Sequence, residues 1–304
     1  MRPLTRDDAA WFRTATITIY GLGLMGASLA MALRNAGMGN LIQAIDEDPR
    51  AIEKGLAQQV IDAGTTKPDE LLPRSDLVIL AVPVGAICHI LETMGKNMPP
   101  GTIVTDMGST KIEIVRRMNR LPRHISAIGG HPMCGREING IAAARADLFQ
   151  GKRYFLTPTE RTTPKILAVM QFLISRIGAT PVITDPQTHD AMTALTSHAP
   201  YLLSVALNSA VTEKSGSPTA SPVPFISSGF LDTTRIAGSD VSMMLDILST
   251  NKTNVLKAVD KVLENLVQLR RWLELEQMME LKDFLSTQRE NRRGREASIP
   301  RQPE

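Results

Sequence analysis

Ile17-Thr-Ile-Tyr20, then Gly21-Leu-Gly23-Leu-Met-Gly26, then Ala27-Ser-Leu-Ala-Met-Ala-Leu-Arg34, and finally Leu41-Ile-Gln-Ala-Ile-Asp46 form the stretch that decides the fold. A β-branched run enters a glycine turn, the turn opens an apolar-periodic segment of helical length, and a second apolar run ends on a carboxylate. The pattern reads strand, helix, strand. In such a unit Gly21 permits the tight turn, Gly23 lets the backbone approach a pyrophosphate, and Gly26 lets helix and strand pack closely. Free N–H groups at the helix start, around Leu24 and Met25, favour phosphate oxygens, helped by the positive end of the helix dipole. Asp46 stands twenty residues beyond Gly26, where a carboxylate accepts the adenosine ribose hydroxyls and repels a 2′-phosphate. The expected cofactor is therefore NAD rather than NADP. The rival reading of Asp46 is a helix N-cap before Pro49.

Working outward, Asp76-Leu-Val-Ile-Leu-Ala-Val-Pro83 is continuously apolar, as for a parallel strand covered on both faces. Its end at Val82 and Pro83 should lie against the cofactor, because open parallel sheets bind ligands outside the carboxyl ends of their strands. Further strands are read at 102–106, 125–130, 154–156 and 181–184, with helices at 49–59, 84–94, 109–120, 135–149 and 164–177. This alternation gives an α/β, doubly wound Rossmann domain over residues 1–184. From 185 to 304 the pattern is all-helical, with helices at 187–214, 230–236, 240–248 and 254–289 and a polar, loose tail from Asn291. Val255, Val259, Val262, Leu266, Leu269 and Leu273 recur three or four apart. So long an apolar stripe predicts a homodimer built helix to helix, the alternative being an intramolecular bundle.

The chain has 304 residues, 43% of them hydrophobic and 21% charged, with a formal charge of +3. That size allows about two domains, and so small a charge with no basic stripe gives no reason to invoke nucleic acid. Cys88 and Cys134 have no disulfide or zinc spacing. No secretory segment or membrane span is read, and a cytoplasmic location is expected.

Candidate chemistry clusters at two neighbouring strand ends, Asp106-Met-Gly-Ser109-Thr-Lys111 and Gly129-Gly-His131-Pro-Met-Cys-Gly-Arg-Glu137. There His131 can serve as a base near neutral pH and the Ser109 hydroxyl can fix its tautomer. In the helical half, His198 shares a face with Leu195 and Leu202, as a ligand-facing group or a satisfied core histidine. His189 falls on the opposite side of that helix and reads as structural. Arg235 reads either as a helical pair with Asp232 or as a fork for a substrate carboxylate.

With these residues in view, the chain resembles the prephenate and arogenate dehydrogenases of tyrosine biosynthesis. The matching motifs are Gly-Leu-Gly-Leu-Met-Gly-Ala-Ser-Leu-Ala at 21–30, Ala-Val-Pro-Val at 81–84, Asp-Met-Gly-Ser-Thr-Lys at 106–111, His-Pro-Met-Cys-Gly-Arg-Glu at 131–137, Ser-His-Ala-Pro at 197–200 and Thr-Arg-Ile-Ala at 234–237. The resemblance implies NAD-dependent oxidative decarboxylation of prephenate or arogenate, with His131 on the ring hydroxyl and Ser109 orienting it. It further implies His198 and Arg235 at the substrate, Glu137 near the pocket mouth and a dimer-forming helical domain. Two positions depart from the family pattern. Cys134 replaces a usual alanine. Tyr201 replaces a frequent histidine, which leaves the choice between the two substrates open. A β-hydroxyacid dehydrogenase or an imine reductase would share the glycine turn, but the Gly-x-x-Gly-x-Gly…Lys pattern normal for the former is absent around 186–214. A nucleotide-sensing regulator without catalysis is the third reading.

Overall fold

A computed structural model describes residues 6–135, 140–213 and 223–298. Helix α1 (Arg6–Thr14) precedes β1 (Thr16–Tyr20), α2 (Leu24–Asn35), β2 (Leu41–Ile45), α3 (Pro49–Ala57), β3 (Ala63–Thr65), α4 (Pro68–Leu71) and β4 (Leu77–Leu80). Then come α5 (Val84–Thr93), β5 (Ile103–Asp106), α6 (Ile112–Met118), β6 (Ser126–Pro132), β7 (Arg153–Pro158), α7 (Pro164–Arg176) and β8 (Thr180–Ile183). Among the described residues eight strands form one sheet in the order β3-β2-β1-β4-β5-β6-β7-β8, parallel throughout except for β6 against β7. Chain order reverses between β1 and β4, so the glycine turn after β1 opens onto the crevice where such sheets bind nucleotides.

Period two along the strands divides the core between the two faces. Leu77 and Ile79 join Phe12, Leu29, Leu33 and Leu173 on one face, while Val78 and Leu80 join Ile87, Leu91, Ile114 and Met118 on the other. Helices α1, α2 and α7 therefore cover one side and α5 and α6 the other. Each fully buried aliphatic side chain contributes about 1.5–3 kcal/mol, so a strand with both faces covered adds stability at every residue.

Beyond the sheet the chain is helical: α8 (Pro186–Thr193), α9 (Ala199–Glu213), α10 (Ser228–Thr234), α11 (Val241–Thr250), α12 (Lys252–Glu274) and α13 (Met278–Ser298). The expected helix 187–214 is two helices joined by a π turn, Ala194–His198. Pro200 has no N–H to donate to the preceding turn, and the widened turn absorbs that loss. The extra residue in the turn changes the facing. His198 is 2% exposed while Leu195 is 46% exposed, so the two do not share a stripe.

Three other expectations are corrected. Residues 140–149 form turns and a short 3-10 segment, Ile141–Ala143, rather than a helix, starting at a Gly140 whose φ of +88° no helix accommodates. The helix expected at 254–289 breaks at 275–277, where Glu276 adopts φ +52° and Gln277 N–H donates to the Trp272 carbonyl, a left-handed C-terminal cap. Trp272 and Phe284 then meet with ring centroids 5.4 Å apart, so α13 folds back on α12. The tail expected from Asn291 is helical as far as Ser298.

Candidate active site

At the glycine turn each glycine answers to a different constraint. Gly21 has φ +99°, a conformation that side-chain-bearing residues rarely adopt. A Cβ on Gly26 would stand 1.9 Å from the Gly21 carbonyl oxygen, so the start of α2 can approach the turn only with hydrogen there. A Cβ on Gly23 would meet nothing within 4 Å, so protein leaves space beside that backbone, and no side chain caps α2. An open cradle at an uncapped helix N-terminus fits a pyrophosphate. Val82 lies against Gly21, its Cγ1 2.5 Å from where a Cβ would be, and Pro83 opens α5 at the same edge.

Asp46 sits at the tip of β2, where its carboxylate accepts from Leu22 N–H (2.6 Å) and Asp48 N–H (2.8 Å). It thus braces the glycine turn, and each oxygen keeps a further acceptor site. The N-cap of the following helix is Asp48, which accepts from Arg50 N–H, so the capping reading of Asp46 does not hold.

Strand β6 carries His131 to the carboxyl edge, where the half-buried ring faces α8. His131 Nδ1 lies 2.8 Å from His189 Nε2, and His189 Nδ1 lies 2.7 Å from Asp190 Oδ1. Asp190 in turn accepts from Lys111 N–H (2.7 Å) and Ile112 N–H (2.9 Å), so the first helix of the helical half clamps the start of α6. These two bonds also explain why α6 begins at Ile112 rather than at Ser109. His189, read from sequence as structural, is therefore the direct neighbour of His131. Ser109 is half-buried in the loop after β5, and among the described residues no hydrogen bond joins it to His131.

Beneath this group Lys111, wholly buried, donates to the Asp106 carboxylate and to the Gly130 carbonyl (2.7 Å). Asp106 also accepts from Gly108 and Gly130 N–H. Burial pulls the Lys111 pKa down while Asp106 opposes it. The residue immediately before His131 is thus held through both its carbonyl and its N–H.

His198 is buried at the end of the π turn, with Asn251 Nδ2 3.3 Å from its Nδ1 and the same amide donating to the Asp190 carbonyl (2.7 Å). Tyr201 follows, half-buried, in the first turn of α9. Arg235 is exposed at the start of a 3-10 turn, which Ala237 N–H fastens to Ser204 Oγ of α9 (3.1 Å). That bond brings the arginine's segment to the helix bearing His198 and Tyr201. Glu137 lies outside the described residues. Two further contacts seat the helical half on the carboxyl edge, Gly85 N–H on Asp246 (2.9 Å) and Thr110 Oγ1 with Thr250 Oγ1 (2.9 Å). A cleft of about 640 Å³ lined by Asn35, Asp147, Lys152 and Arg176 lies instead at the far end of α2 and holds none of the predicted site residues.

Burial first, then the neighbouring His189, Lys111 and His198, hold the His131 pKa well below 6.5, and burial lowers His198 to about 4. Both rings are neutral at neutral pH. In the unfolded chain they would bind protons near 6.5, so below that pH the unfolded state takes up more protons than the folded one. The resulting stabilisation is complete above pH 6.5 and is lost as the pH falls toward about 4. We expect the denaturation midpoint to fall already between pH 6.5 and about 5, above the carboxylate range. His198→Asn should flatten that limb; an unchanged slope would show that His198 is not buried neutral.

A doubly wound sheet with an open glycine turn, a carboxylate at the tip of β2 and a neutral histidine at the crevice defines a dinucleotide-dependent oxidoreductase. Comparison with known proteins narrows the class. A family model described as "Prephenate dehydrogenase, nucleotide-binding domain" matches residues 29–183, and one described as "Prephenate dehydrogenase, dimerization domain" matches 185–287. A prephenate dehydrogenase of Bacillus subtilis (strain 168) is 31% identical over 283 residues, 92% of this chain and 76% of the relative. A crystal structure of prephenate dehydrogenase from A. aeolicus, in complex with hydroxyphenyl propionate and NAD+, superposes with a TM-score of 0.87 at 31% identity, covering 92% of this chain and 98% of that one. Synechocystis arogenate dehydrogenase superposes at 0.79 with 30% identity, over 92% and 99% of the two chains. The chain belongs to the prephenate dehydrogenase family. Its cofactor is NAD. Among the described residues no helix is long and apolar enough to cross a membrane.

Proposed function

We propose that this chain catalyses the oxidative decarboxylation of prephenate to 4-hydroxyphenylpyruvate in tyrosine biosynthesis, with NAD as hydride acceptor. The observation that carries this reading is the neutral His131, held from behind by His189 at the carboxyl end of β6, on the same sheet edge as the glycine turn after β1. Gly21, Gly23, Leu24, Met25 and Gly26 hold the pyrophosphate, Asp46 the adenosine ribose, and Val82 and Pro83 the wall of the crevice. His131 accepts the proton of the ring hydroxyl as the carbinol carbon gives up its hydride, and a ring ketone forms. When bound, NAD supplies the empty orbital for that hydride. The ketone then draws the electron pair of the carboxyl-bearing C–C bond through the ring, and carbon dioxide leaves. His131 returns its proton to the phenolate oxygen, so no net proton is released and the base is ready for a further turnover. Ser109 faces the reacting edge, Arg235 binds the side-chain carboxylate bidentately, and His198 and Tyr201 shape the pocket, with Glu137 at its mouth.

Tyr201 favours keeping arogenate as a second reading. Steady-state assays of prephenate and arogenate, each with NAD and NADP, decide between them. We expect turnover of prephenate with NAD, and Arg235→Gln should raise KM about tenfold or more with kcat little changed, as loss of a charge-assisted pair predicts. Silence in all four combinations would overturn the proposal.

The protein acts in the cytoplasm as a homodimer. The apolar surface of α12 supports the dimer: of the stripe, Val255 is covered while Leu266 and Leu273 are 45% and 57% exposed, and Leu263 and Val267 beside it are 52% and 66% exposed. Sedimentation should give about twice the 33.2 kDa chain mass, and Leu266→Glu should shift it toward the monomer. A monomeric wild-type chain would count against the dimer.

A further inference from the structure

His189 and Asp190 are not among the residues that the family motifs brought into view, yet among the described residues they back the His131 ring on the side facing α8. Asp190 Oδ2 accepts from Ile112 N–H, and Oδ1 accepts from Lys111 N–H and faces His189 Nδ1. A carboxylate only accepts, so the His189 proton sits on Nδ1 and its Nε2 bears a lone pair. That lone pair points at His131 Nδ1, 2.8 Å away. His131 must then carry its own proton on Nδ1, which leaves Nε2 as the free acceptor.

We propose that His189 and Asp190 are positioning residues that lock His131 in the Nδ1–H tautomer, presenting Nε2 as the base. The proposal rests on the functional reading above for its kinetic consequences, though not for the tautomer itself. Lys111 and His198, the other titratable neighbours of His131 among the described residues, are committed elsewhere. Lys111 Nζ is bound by Asp106 and the Gly130 carbonyl, and His198 Nδ1 faces Asn251. His189 is itself fixed by the edge of Phe155 on β7, with centroids 5.6 Å apart at 83°, and by its place within α8. Asp190 is pinned through its carbonyl as well, by Asn251 at the start of α12. Base and orienter thus belong to different halves of the chain, and the seating of α8 on α6 sets the proton inventory of β6. When His131 takes a second proton, Nδ1–H donates to an imidazole backed by an anion, which offsets part of the cost of charging a half-buried ring.

Nitrogen-15 spectra of histidine-labelled protein test this directly, the His131 signals being those lost in His131→Asn. We expect a protonated Nδ1 and an unprotonated Nε2. His189→Gln can place an amide oxygen where Nε2 stood and should keep that tautomer, with kcat within about tenfold. His189→Phe keeps the ring's bulk and its edge contact but offers no acceptor. It should mix the tautomers and lower kcat about 100-fold with KM changed by less than about threefold. Asp190→Asn removes the anion, so the acid limb of kcat/KM should move to lower pH. Equal kcat and pH profiles for the Gln and Phe variants would overturn the proposal, as would a wild-type His131 protonated on Nε2. Should His189→Phe fail to fold, the wild-type spectrum still decides. Failure of the wild-type enzyme on every substrate would instead strike the functional reading and leave the tautomer result standing.

Discussion

His131→Asn is expected to remove turnover while leaving NAD affinity within about twofold of wild type. Asparagine keeps a polar group near Nδ1, so the bond to His189 and the path of β6 survive, but nothing reaches where Nε2 stood. General base catalysis is worth about 10²–10⁴-fold, and the reaction asks this residue both to take the hydroxyl proton and to return it. We therefore expect kcat to fall toward the upper end of that range, about 5 kcal/mol in barrier height. The proposed cofactor contacts lie at the ends of β1, β2 and β4 and the start of α2, all distant from His131 in sequence, so NAD titration by quenching of intrinsic fluorescence should be unchanged. A variant that keeps a tenth of wild-type kcat would remove His131 from the role of base. Lost NAD binding would show instead that the change had disturbed the crevice. A regulator that only senses NAD would tolerate the substitution, so the same measurement separates a catalyst from a binding module.

Why could His131 be read from sequence and His189 not? The Gly-Gly-His-Pro run places a titratable ring directly after an apolar strand, and a strand end on a parallel sheet is the edge where ligands bind. His189 sits in a helix whose period had to be assumed. Nine residues at 100° each put it half a turn away from His198, and that arithmetic holds only for an unbroken α-helix. The π turn 194–198 widens the spiral by one residue, so His189 meets the Asp190 carboxylate while His198 meets the Asn251 amide that holds the Asp190 carbonyl. Pro200 was the available signal, because a proline inside a helical pattern requires some local change. The glycine turn was legible for a different reason: Gly21 and Gly26 meet steric conditions that only glycine satisfies, so geometry is written in the residue type. At 275–277 the reverse holds. Glu276 takes the left-handed conformation without being glycine, so the break between α12 and α13 left no mark in the composition. Lys111 was equally opaque, since a lysine ahead of a helix ordinarily points to water.

That lysine carries the second large effect. Lys111→Met should destabilise the nucleotide-binding half by about 3–5 kcal/mol, the usual cost of stranding one partner of a buried ion pair. The size follows from what remains: Asp106, 0% exposed, would keep its charge with, among the described residues, just the Gly108 and Gly130 N–H groups as donors. Against a total stability of about 5–15 kcal/mol, such a loss shifts the denaturation midpoint substantially. The chain has two tryptophans, Trp11 in α1 on the sheet and Trp272 in α12. In a Trp272→Phe background, Trp11 fluorescence would therefore follow the sheet domain alone. Adding Asp106→Asn removes the stranded charge and should restore part of the loss, because the penalty lies in the unpaired ion rather than in the missing attraction. The pair also fixes the Gly130 carbonyl and N–H, so the double variant, though more stable than Lys111→Met, should remain poor in kcat. Stability recovered without activity would separate the two duties of this pair. A Lys111→Met cost below about 1 kcal/mol would mean that Asp106 is neutral or hydrated in the folded protein, and the ion pair would then hold neither the fold nor the base.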